Sequence, residues 1–493
     1  MVLGAGIAGL TGAALLARQG CEVVLLEAHH QSGGCAGTFR RGPYTFDAGA
    51  TQVAGFEPGG SHHRLFAELG VPLPQATPLD PGCVVDLADG HPPVRIWRDP
   101  ERWRQEREQQ FPGSERFWQL CQRLHASNWA FAARRPVLPP RNGWDLSQLL
   151  QAIGPGNVLS GLLSGATVAD LLRLCGCSGP GHRRLRRFLD LQLKLYSQEP
   201  ADRTAALYGV TVLAMVQEPL GLWHLHGSMQ ELSTSLETAL RQAGGELRLR
   251  HRVDTLQATN GGWDVQGVGP KGESFCLKAA DVVCSLPPQG LPALLGDQMP
   301  AGLQRRVEGL GDPSGALVLY GAVAREALPA DCPSHLQLDW QQPGSLFISI
   351  SQEGDGRAPA GQATVIASVF TGAKRWFELE PAAYTTAKAE AQRGIEAGLE
   401  QLLGLQESHW LHRELATPRG FARWTGRPFG FVGGIGQAPD RFGPFGLASR
   451  SPLAGLWLCG DAIYPGEGTA GVSLSAEMAV RQLLAQRNVG RAA

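Results

Sequence analysis

Residues 1–10, "MVLGAGIAGL", decide the fold of this chain. Gly4, Gly6 and Gly9 form the pattern G-x-G-x-x-G, and the run from Leu10 to Gln19 has the composition of a helix. In a β–α–β unit the first glycine permits a tight turn, the second lets backbone approach a pyrophosphate, and the third lets the helix pack closely. The helix N-terminus then presents free N–H groups to the phosphates. The pattern therefore predicts a dinucleotide site.

The residues after this helix complete the unit. Gly20 ends the helix, and residues 21–27, "CEVVLLE", are typical of a second buried strand that ends in an acid. In dinucleotide-binding proteins an acid at this position holds a ribose hydroxyl. The chain contains 64 glycines, so the glycine pattern alone could arise by accident. The flanking strands and Glu27 nevertheless favour a nucleotide site over a structural turn, and we expect Ala8 and Ala28 to contact the nucleotide as well.

Length and composition exclude several classes of protein. With 493 residues, 43% hydrophobic and 18% charged, the chain is expected to be globular and to form two or three structural units. A net charge of -1 gives no general attraction to nucleic acid, so we expect no nucleic-acid partner. The ten cysteines include no CxxC pair, and His224 and His226 lack partners for zinc, so we expect no metal site.

Two features of the sequence bear on the cellular compartment of the protein and on its N-terminus. No uninterrupted apolar run approaches the roughly 20 residues that span a bilayer, and no secretion signal is evident. We therefore expect a protein that faces the cytosol with reduced thiols. The first strand is short, and since such a strand is normally central and fully paired, we expect a missing N-terminal stub rather than a clipped strand.

A second glycine-rich stretch indicates which nucleotide is bound. Residues 33–52, "GGCAGTFRRGPYTFDAGATQ", begin with Gly33 and Gly34 shortly after Glu27. This loop and hairpin resemble the extension that follows the ribose-binding acid in flavoproteins of the amine oxidase and phytoene desaturase superfamily. The resemblance implies FAD as cofactor, lying in a long groove with its flavin end near Gly49 and Ala50.

The far end of the chain supplies a matching stretch. Residues 455–484, "GLWLCGDAIYPGEGTAGVSLSAEMAVRQLL", are typical of a strand, a loop at Gly460 and Asp461, and a helix from about Gly471. In the superfamily, the aspartate that matches Asp461 accepts hydrogen bonds from the ribityl chain. The resemblance implies that the helix N-terminus, with Gly471 and Val472, faces the flavin ring, where its positive end would stabilise added electrons.

The middle of the chain fits a discontinuous flavin domain. We expect a helix from Met229 to about Ala243, a strand Glu246–Val253, and a buried strand within 279–288. In relatives the strand matching Glu246–Val253 places a valine beside the adenine, here Val253. No second G-x-G-x-x-G precedes a helix, so electrons are expected to leave to an external acceptor, quinone or oxygen.

The predicted fold class is α/β. It consists of a discontinuous Rossmann-like FAD-binding domain of the amine oxidase and glutathione reductase type and an α+β substrate domain. The expected boundaries are 1–60, 223–289 and 435–493 for the FAD-binding segments, 61–222 for a helical, membrane-facing substrate part, and 290–434 for a substrate-domain sheet.

One helix-forming stretch in the substrate part is strongly basic. Residues 181–197, "GHRRLRRFLDLQLKLYS", place basic residues on one face and apolar residues on the other. Such a helix beside the apolar stretch 204–216 could dock onto anionic lipid. It could equally be a helix that packs on the core with a solvated basic face. The basic residues are Arg183, Arg184, Arg186, Arg187 and Lys194.

Across its whole length the chain resembles the carotenoid desaturase and isomerase family, and within it the cyanobacterial C-3′,4′ desaturases. Five stretches carry the resemblance: 33–66, 187–198, 417–437, 441–452 and 460–479. It implies a carotenoid substrate that loses two hydrogens, with a flavin as hydride acceptor. It also implies a peripheral location on the cytoplasmic side of the cytoplasmic or thylakoid membrane.

The catalytic base is less clearly marked in the sequence. Glu467, in "YPGEG", is expected near the flavin as a candidate base, with Tyr464 beside it, although a structural role for Glu467 is also open. Arg419, Arg423 and Arg427 could be structural or could contact the cofactor phosphate.

Three other functions remain compatible with these motifs. A carotenoid (prolycopene) cis–trans isomerase would use reduced FAD without net oxidation. An amine oxidase would need an aromatic cage around a soluble amine. A non-catalytic flavin- or carotenoid-binding protein would keep the cofactor motifs and form no new chromophore.

Overall fold

The strands and helices are numbered in chain order in the computed structural model, which describes residues 1–311 and 314–492. The strands are β1 (Val2–Leu3), β2 (Val24–Leu26), β3 (Thr38–Arg41), β4 (Tyr44–Asp47), β5 (Val53–Ala54), β6 (Ala76–Pro78), β7 (Cys83–Asp86), β8 (Val94–Ile96), β9 (Leu222–Leu225), β10 (Glu246–Arg248), β11 (Arg252–Thr259), β12 (Gly262–Val268), β13 (Ser274–Ala279), β14 (Val282–Cys284), β15 (Ser314–Ala324), β16 (His335–Leu338), β17 (Leu346–Ile350), β18 (Gln362–Gly372), β19 (Trp410–Ala416) and β20 (Leu456–Leu458). The helices are α1 (Ile7–Arg18), α2 (Ser61–Leu69), α3 (Pro100–Gln110), α4 (Glu115–Ala133), α5 (Gly143–Ala152), α6 (Asn157–Leu162), α7 (Val168–Leu174), α8 (Arg183–Ser197), α9 (Ala206–Ala214), α10 (Gln230–Gln242), α11 (Leu291–Leu295), α12 (Ala301–Glu308), α13 (Arg375–Glu378), α14 (Pro381–Leu403), α15 (Pro418–Thr425) and α16 (Thr469–Ala492).

A five-stranded parallel sheet brings distant parts of the chain together in the order β10-β2-β1-β14-β20. Val2 in the central strand β1 pairs with Leu25 on one side and Val283 on the other. The strands come from the beginning, the middle and the end of the chain. The three predicted flavin-binding segments therefore each contribute to one sheet, as the predicted fold class requires.

Both faces of this sheet are covered around its inner strands, which explains why β1, β2, β14 and β20 are entirely apolar. Successive strand residues point to opposite faces. Val2 and Val283 join a buried cluster with residues of α1, α10 and α16. Leu3 and Cys284 join a second cluster with residues of β12 and α11. The sheet thus fixes the N-terminus of α1 and the loop before α16 at the same edge.

The predicted strand Glu246–Val253 is wrong in its extent. β10 ends at Arg248, and Arg250 adopts a left-handed φ of 58°, which turns the chain. The chain resumes as β11 in a separate antiparallel sheet, β11-β12-β13. Val253 therefore belongs to that second sheet and not to the parallel one.

A seven-stranded sheet, in the order β19-β15-β18-β17-β16-β7-β8, forms the core of the other half of the molecule. Two of its strands, β17 and β18, lie within the apolar runs at 344–351 and 362–372. The segment 61–222 is rich in helices as expected, but it also supplies β7 and β8, and β7 pairs with β16 in parallel. Ile395 and Leu399 of α14 pack against one face of this sheet.

The basic helix α8 packs into the protein. Its Leu185, Phe188 and Leu189 are buried in a cluster with residues of α3, α4, α7 and α9. Four of its basic side chains form internal contacts: Arg184 with Asp89 at 2.9 Å, Arg186 with Asp190 at 2.8 Å, Arg187 with Asp339 at 2.5 Å, and Lys194 with the carbonyl oxygen of Gln198 at 3.0 Å. Of the two interpretations left open by the sequence, the structure therefore supports the packed helix.

Candidate active site

A cavity of about 1070 Å³ runs along the edge of the parallel sheet and extends between the helices and the seven-stranded sheet. Most of the predicted cofactor-binding residues line it, although they lie more than 400 positions apart in the chain. From the predicted set, the lining includes Gly4, Gly6, Ala8, Glu27, Gly33, Gly34, Gly49, Ala50, Gly460, Asp461, Gly471 and Val472, together with Tyr464 and Glu467.

The three glycines of the opening motif have three different geometric roles. Gly4 adopts a φ of +87°, a conformation that favours glycine. A Cβ on Gly9 would lie 1.8 Å from the carbonyl oxygen of Gly4, so only glycine lets α1 pack this closely on the turn. A Cβ on Gly6 would meet no atom within 4 Å, because this position faces the open cavity. The arrangement fits a pyrophosphate that lies against Gly6 at the N-terminus of α1.

The carboxylate of Glu27 lies where a ribose would be held. Its oxygens accept hydrogen bonds from the backbone N–H groups of Ala5, at 2.7 Å, and His29, at 2.8 Å. Burial raises the pKa of Glu27, and these backbone hydrogen bonds oppose that rise. Each carboxylate oxygen keeps a further lone pair with which it can accept a hydrogen bond from a ribose hydroxyl.

Three predicted cofactor contacts do not line the cavity. Gly9 is covered by the turn, and its role is the close packing described above. Ala28 lies between the lining residues Glu27 and His29 without lining the cavity itself. Val253 lies two residues after His251, whose backbone N–H binds the carbonyl oxygen of Glu27. Contacts of Ala28 and Val253 with the cofactor stay predictions.

At the other end of the groove, Asp461 forms an ion pair with Arg427. The distance between Arg427 Nη2 and Asp461 Oδ2 is 2.7 Å, and the same Nη2 donates to the carbonyl oxygen of Gly433 at 2.8 Å. Asp461 Oδ1 accepts no hydrogen bond from the residues that the structure describes. The N-terminal turn of α16, at Thr469–Val472, faces the same space. These groups fit the ribityl chain and flavin end of FAD.

Glu467 lies in the cavity wall close to Asp461. Burial, and secondarily the negative charge of Asp461, raises the pKa of Glu467 to about 7, while hydrogen bonds from Gly434, Gln198 and Gln437 oppose the rise. Gln198 Nε2 donates to Glu467 Oε2 at 3.2 Å. The carboxyl can therefore exchange a proton near neutral pH, which is what a general acid or base requires. Burial also raises the pKa of Tyr464, so that phenol stays protonated.

Beyond the flavin-binding groups the cavity wall becomes apolar. Helices α4, α8 and α9, the seven-stranded sheet and the segment after α15 supply this part. Trp129 both lines it and is 37% exposed, so the cavity reaches the molecular surface beside α4. The apolar lining includes Trp129, Phe131, Leu207, Val212, Met215, Phe347, Ile366, Phe370, Phe421 and Phe442.

The three arginines of the segment 417–437 have distinct roles. Arg419 donates to the carbonyl oxygens of Trp376 and Leu379, at 2.7 and 2.5 Å, and is structural. Arg423 stacks over Trp424 at 5.3 Å from the ring centroid and does not line the cavity. Arg427 alone of the three reaches the flavin end.

The sequence left the role of Arg427 open, and it gave no indication of the role of Gln198. The signal for Arg427 was a charged residue inside a glycine-rich, apolar turn.

The two histidines considered as metal ligands have other partners. His224 Nε2 lies 2.8 Å from Asp355 Oδ2, and Arg357 binds both Asp355 and Asp47 in the same buried cluster. Within residues 1–311 and 314–492, no three side chains of the ligand types converge in a way that could hold a metal ion.

In the same part of the chain, no helix has the length and apolar character needed to cross a bilayer.

Comparisons with known proteins find similarity over nearly the whole chain. The profile of a family described as flavin containing amine oxidoreductase matches residues 7–484. A prolycopene isomerase of Arabidopsis thaliana is 25% identical over 509 residues, covering 98% of this chain and 82% of that protein. A 4,4′-diapolycopene oxygenase of Methylomonas sp is 24% identical and covers 98% of both chains.

Solved structures support the fold. Wild-type putrescine oxidase bound to putrescine superposes with a TM-score of 0.66 at 16% identity, covering 99% of this chain and 98% of that one. An oxidoreductase from Methanosarcina mazei gives a TM-score of 0.63 at 15% identity. At such identities the likeness shows the fold alone, which confirms the predicted α/β fold class with its FAD-binding and substrate halves.

Proposed function

The chain belongs to the flavin-containing amine oxidoreductase family, and from this premise we propose that it acts on the polyene of a carotenoid. As a member of this family it is an oxidoreductase that uses FAD. The observation that carries the proposal is the cavity, in which the flavin-binding groups continue directly into a long apolar wall. A rod-shaped hydrocarbon suits such a space better than a small soluble amine does. The relatives named for prolycopene and diapolycopene also support a carotenoid substrate.

The residues of the cavity have separate roles in such a reaction. When bound, FAD supplies a two-electron acceptor for hydride. The apolar walls hold the polyene in register and exclude water from the reacting carbons. Glu467 exchanges the proton at the neighbouring carbon, because its raised pKa lets it act near neutral pH. Gln198 holds the Glu467 carboxyl in place, and Asp461 and Arg427 hold the cofactor.

At the finer level we propose desaturation of the C-3′,4′ bond. The substrate loses a hydride and a proton as a carbon–carbon double bond forms, the proton passes to Glu467, and the electrons leave to a quinone or oxygen. The resemblance of the middle and C-terminal stretches to cyanobacterial C-3′,4′ desaturases supports this regiochemistry.

A second candidate is cis–trans isomerisation of a carotenoid. It is favoured by the prolycopene isomerases among the relatives and by Glu467, whose pKa of about 7 suits both proton donation and proton acceptance. In this reaction a proton would be added to the polyene and later removed, with no net oxidation. The same residues would serve both reactions.

Co-expression in carotenoid-accumulating cells, followed by chromatography of the pigments, tests the proposal. Desaturation lengthens the conjugated system and shifts absorption to the red, whereas isomerisation changes the isomer pattern at constant conjugation length. Both results should disappear in Glu467→Gln and persist in Glu57→Gln, a buried glutamate outside the cavity. A protein that holds FAD and leaves every supplied carotenoid unchanged would be a carrier, and turnover of a soluble amine would indicate an amine oxidase. Either result would overturn the proposal.

We also propose that the protein binds the surface of an anionic bilayer, on its cytoplasmic side, through α5 and α6. These helices expose a group of large apolar side chains beside α4, close to the point where Trp129 opens the cavity to the surface. Exposed Arg134 and Arg141 flank the group and would attract anionic lipid. An insoluble substrate could then pass from lipid into the cavity. The exposed side chains are Leu146, Leu150, Ile153, Val158, Leu159 and Leu162.

A further inference from the structure

Arg427 lies at the junction of the two ends of the flavin site, and no sequence motif assigns it a role. We propose that Arg427 is a positioning residue for the cofactor, which acts by fixing the carboxylate of Asp461 and by keeping a positive charge at the flavin end of the groove. The proposal rests on FAD as cofactor and is independent of the carotenoid.

The contacts of the guanidinium place it between segments that are distant in the chain. Nη2 binds Asp461 Oδ2 at 2.7 Å and the carbonyl oxygen of Gly433 at 2.8 Å. Nη1 donates to the thiol of Cys35 at 3.7 Å. Cys35 directly follows Gly33 and Gly34, which lie against Gly6 at the pyrophosphate end. One side chain thus connects the loop near the pyrophosphate with the loop near the ribityl chain.

The ion pair fixes which oxygen of Asp461 is free. Oδ2 is taken by Arg427, and Oδ1 receives no hydrogen bond from any described residue. Both side chains are largely buried, at 14% exposed for Arg427 and 19% for Asp461. Oδ1 is therefore held in one orientation and available to a ribityl hydroxyl, with little rotational freedom left to lose when FAD binds.

Charge gives Arg427 its second role. Asp461 and Glu467 both line this end of the cavity, and the negative charge of Asp461 helps to raise the pKa of Glu467. Without Arg427, the Asp461 carboxylate would be unpaired in a largely buried place beside a second acid. With FAD bound, a guanidinium at this end of the groove would also stabilise the negative charge that the flavin gains on reduction.

The local backbone conformation directs the side chain of Arg427 into the site. Left-handed φ values at Gly426, Phe429 and Gly430 turn the chain sharply on both sides of Arg427. A Cβ on Gly430 would lie 1.9 Å from the carbonyl oxygen of Pro418, so glycine is required for the turn. Arg427 also stacks over the ring of Phe431, 4.5 Å from its centroid, which restricts the guanidinium plane further.

The test measures FAD affinity and the midpoint potential of bound flavin, and needs no carotenoid. Arg427→Gln should weaken FAD binding at least tenfold, and at saturating FAD the midpoint potential should become more negative. Arg427→Lys, which keeps the charge, should recover most of the potential and only part of the affinity. Arg423→Gln, at an exposed arginine on the same segment, serves as the matched control. Its FAD affinity should stay within twofold of that of the wild type.

A double-mutant cycle with Asp461→Asn decides whether Arg427 acts through Asp461. If it does, the combined variant binds FAD no more weakly than the weaker single variant. Circular dichroism and thermal melting of each apoprotein check folding. If Arg427→Gln does not fold, Arg427→Lys replaces it in the double-mutant cycle. Losses that multiply in the double variant, or an Arg427 variant with wild-type affinity and potential, would overturn the proposal.

Discussion

The side-chain amide of Gln198 donates a hydrogen bond to the carboxylate of Glu467, with 3.2 Å between Nε2 and Oε2. Gln198 caps the C-terminus of α8 with a left-handed φ of 64° and is only 6% exposed. A residue other than glycine keeps such a backbone conformation only where its surroundings hold it in place. The substrate-side helix α8 thus positions an acid that lies in the flavin-binding part of the chain.

Glu467→Gln should leave FAD binding intact and lower the rate of pigment conversion by about 100-fold or more, the usual size of a lost acid–base group. The amide can still accept the hydrogen bond from Gln198 but cannot exchange a proton. Flavin absorbance of the purified protein and timed chromatography of pigments measure the two effects. Wild-type rates in Glu467→Gln would remove Glu467 from the chemistry.

The pH dependence of conversion should follow the carboxyl of Glu467, whose pKa is raised to about 7. As a base in desaturation, Glu467 must be ionised, so the rate should rise with pH through about 7 and then level. As an acid in isomerisation, it must be protonated, so the rate should fall over the same range. Initial rates between pH 5.5 and 8.5 distinguish the two, and a flat profile would contradict both.

The same carboxyl should make the apoprotein less stable as pH rises. Below its unfolded pKa of 4.5, Glu467 is protonated in both states, whereas between 4.5 and about 7 only the folded state keeps the proton. The free energy of unfolding therefore falls with rising pH across this window. Thermal melting of the wild type and Glu467→Gln at several pH values measures the difference. The melting temperature of Glu467→Gln minus that of the wild type should increase from pH 4.5 to 7. A difference that does not change with pH would be inconsistent with a raised pKa of Glu467.

The opening glycines should respond differently to alanine. In Gly9→Ala the added Cβ would lie 1.8 Å from the carbonyl oxygen of Gly4, so the melting temperature of the apoprotein should fall by several degrees. In Gly6→Ala the Cβ meets no protein atom, so the apoprotein should melt as the wild type does while FAD binding weakens strongly. Melting curves and FAD titration separate the two. Normal FAD affinity in Gly6→Ala would place the pyrophosphate elsewhere.

Binding to vesicles should depend on α5 and α6. Replacing Leu150 and Leu162 by Asp should reduce co-sedimentation with phosphatidylglycerol vesicles at least tenfold, because burying two such side chains contributes on the order of 3 kcal/mol. Replacing Leu174 by Asp, an exposed leucine on α7, is the matched control. Equal binding by all three proteins would exclude this surface.

Residues whose type is dictated by backbone geometry could be placed in the cavity from the sequence. The glycine motif and Glu27 were identifiable because each constrains the backbone or the charge at a fixed place in a β–α–β unit, whereas Asp461 was identified from the resemblance to flavoproteins. The roles of Arg427 and Gln198 could not be assigned from the sequence, because they depend on contacts with Cys35, Asp461 and Glu467, which are distant in the chain. The sequence also left the role of the basic face of α8 open, since its partners Asp89 and Asp339 come from distant segments.

The order of strands in the parallel sheet has a consequence for how the protein is made. β20, from Leu456 to Leu458, completes one side of a sheet that β1 begins at Val2, and Asp461 follows it directly. During translation, the pyrophosphate loop leaves the ribosome long before the carboxylate that is to meet the ribityl chain. Until β20 and Asp461 have been synthesised, β14 lacks its outer neighbour and the nascent polypeptide cannot assemble the ribityl end of the flavin site.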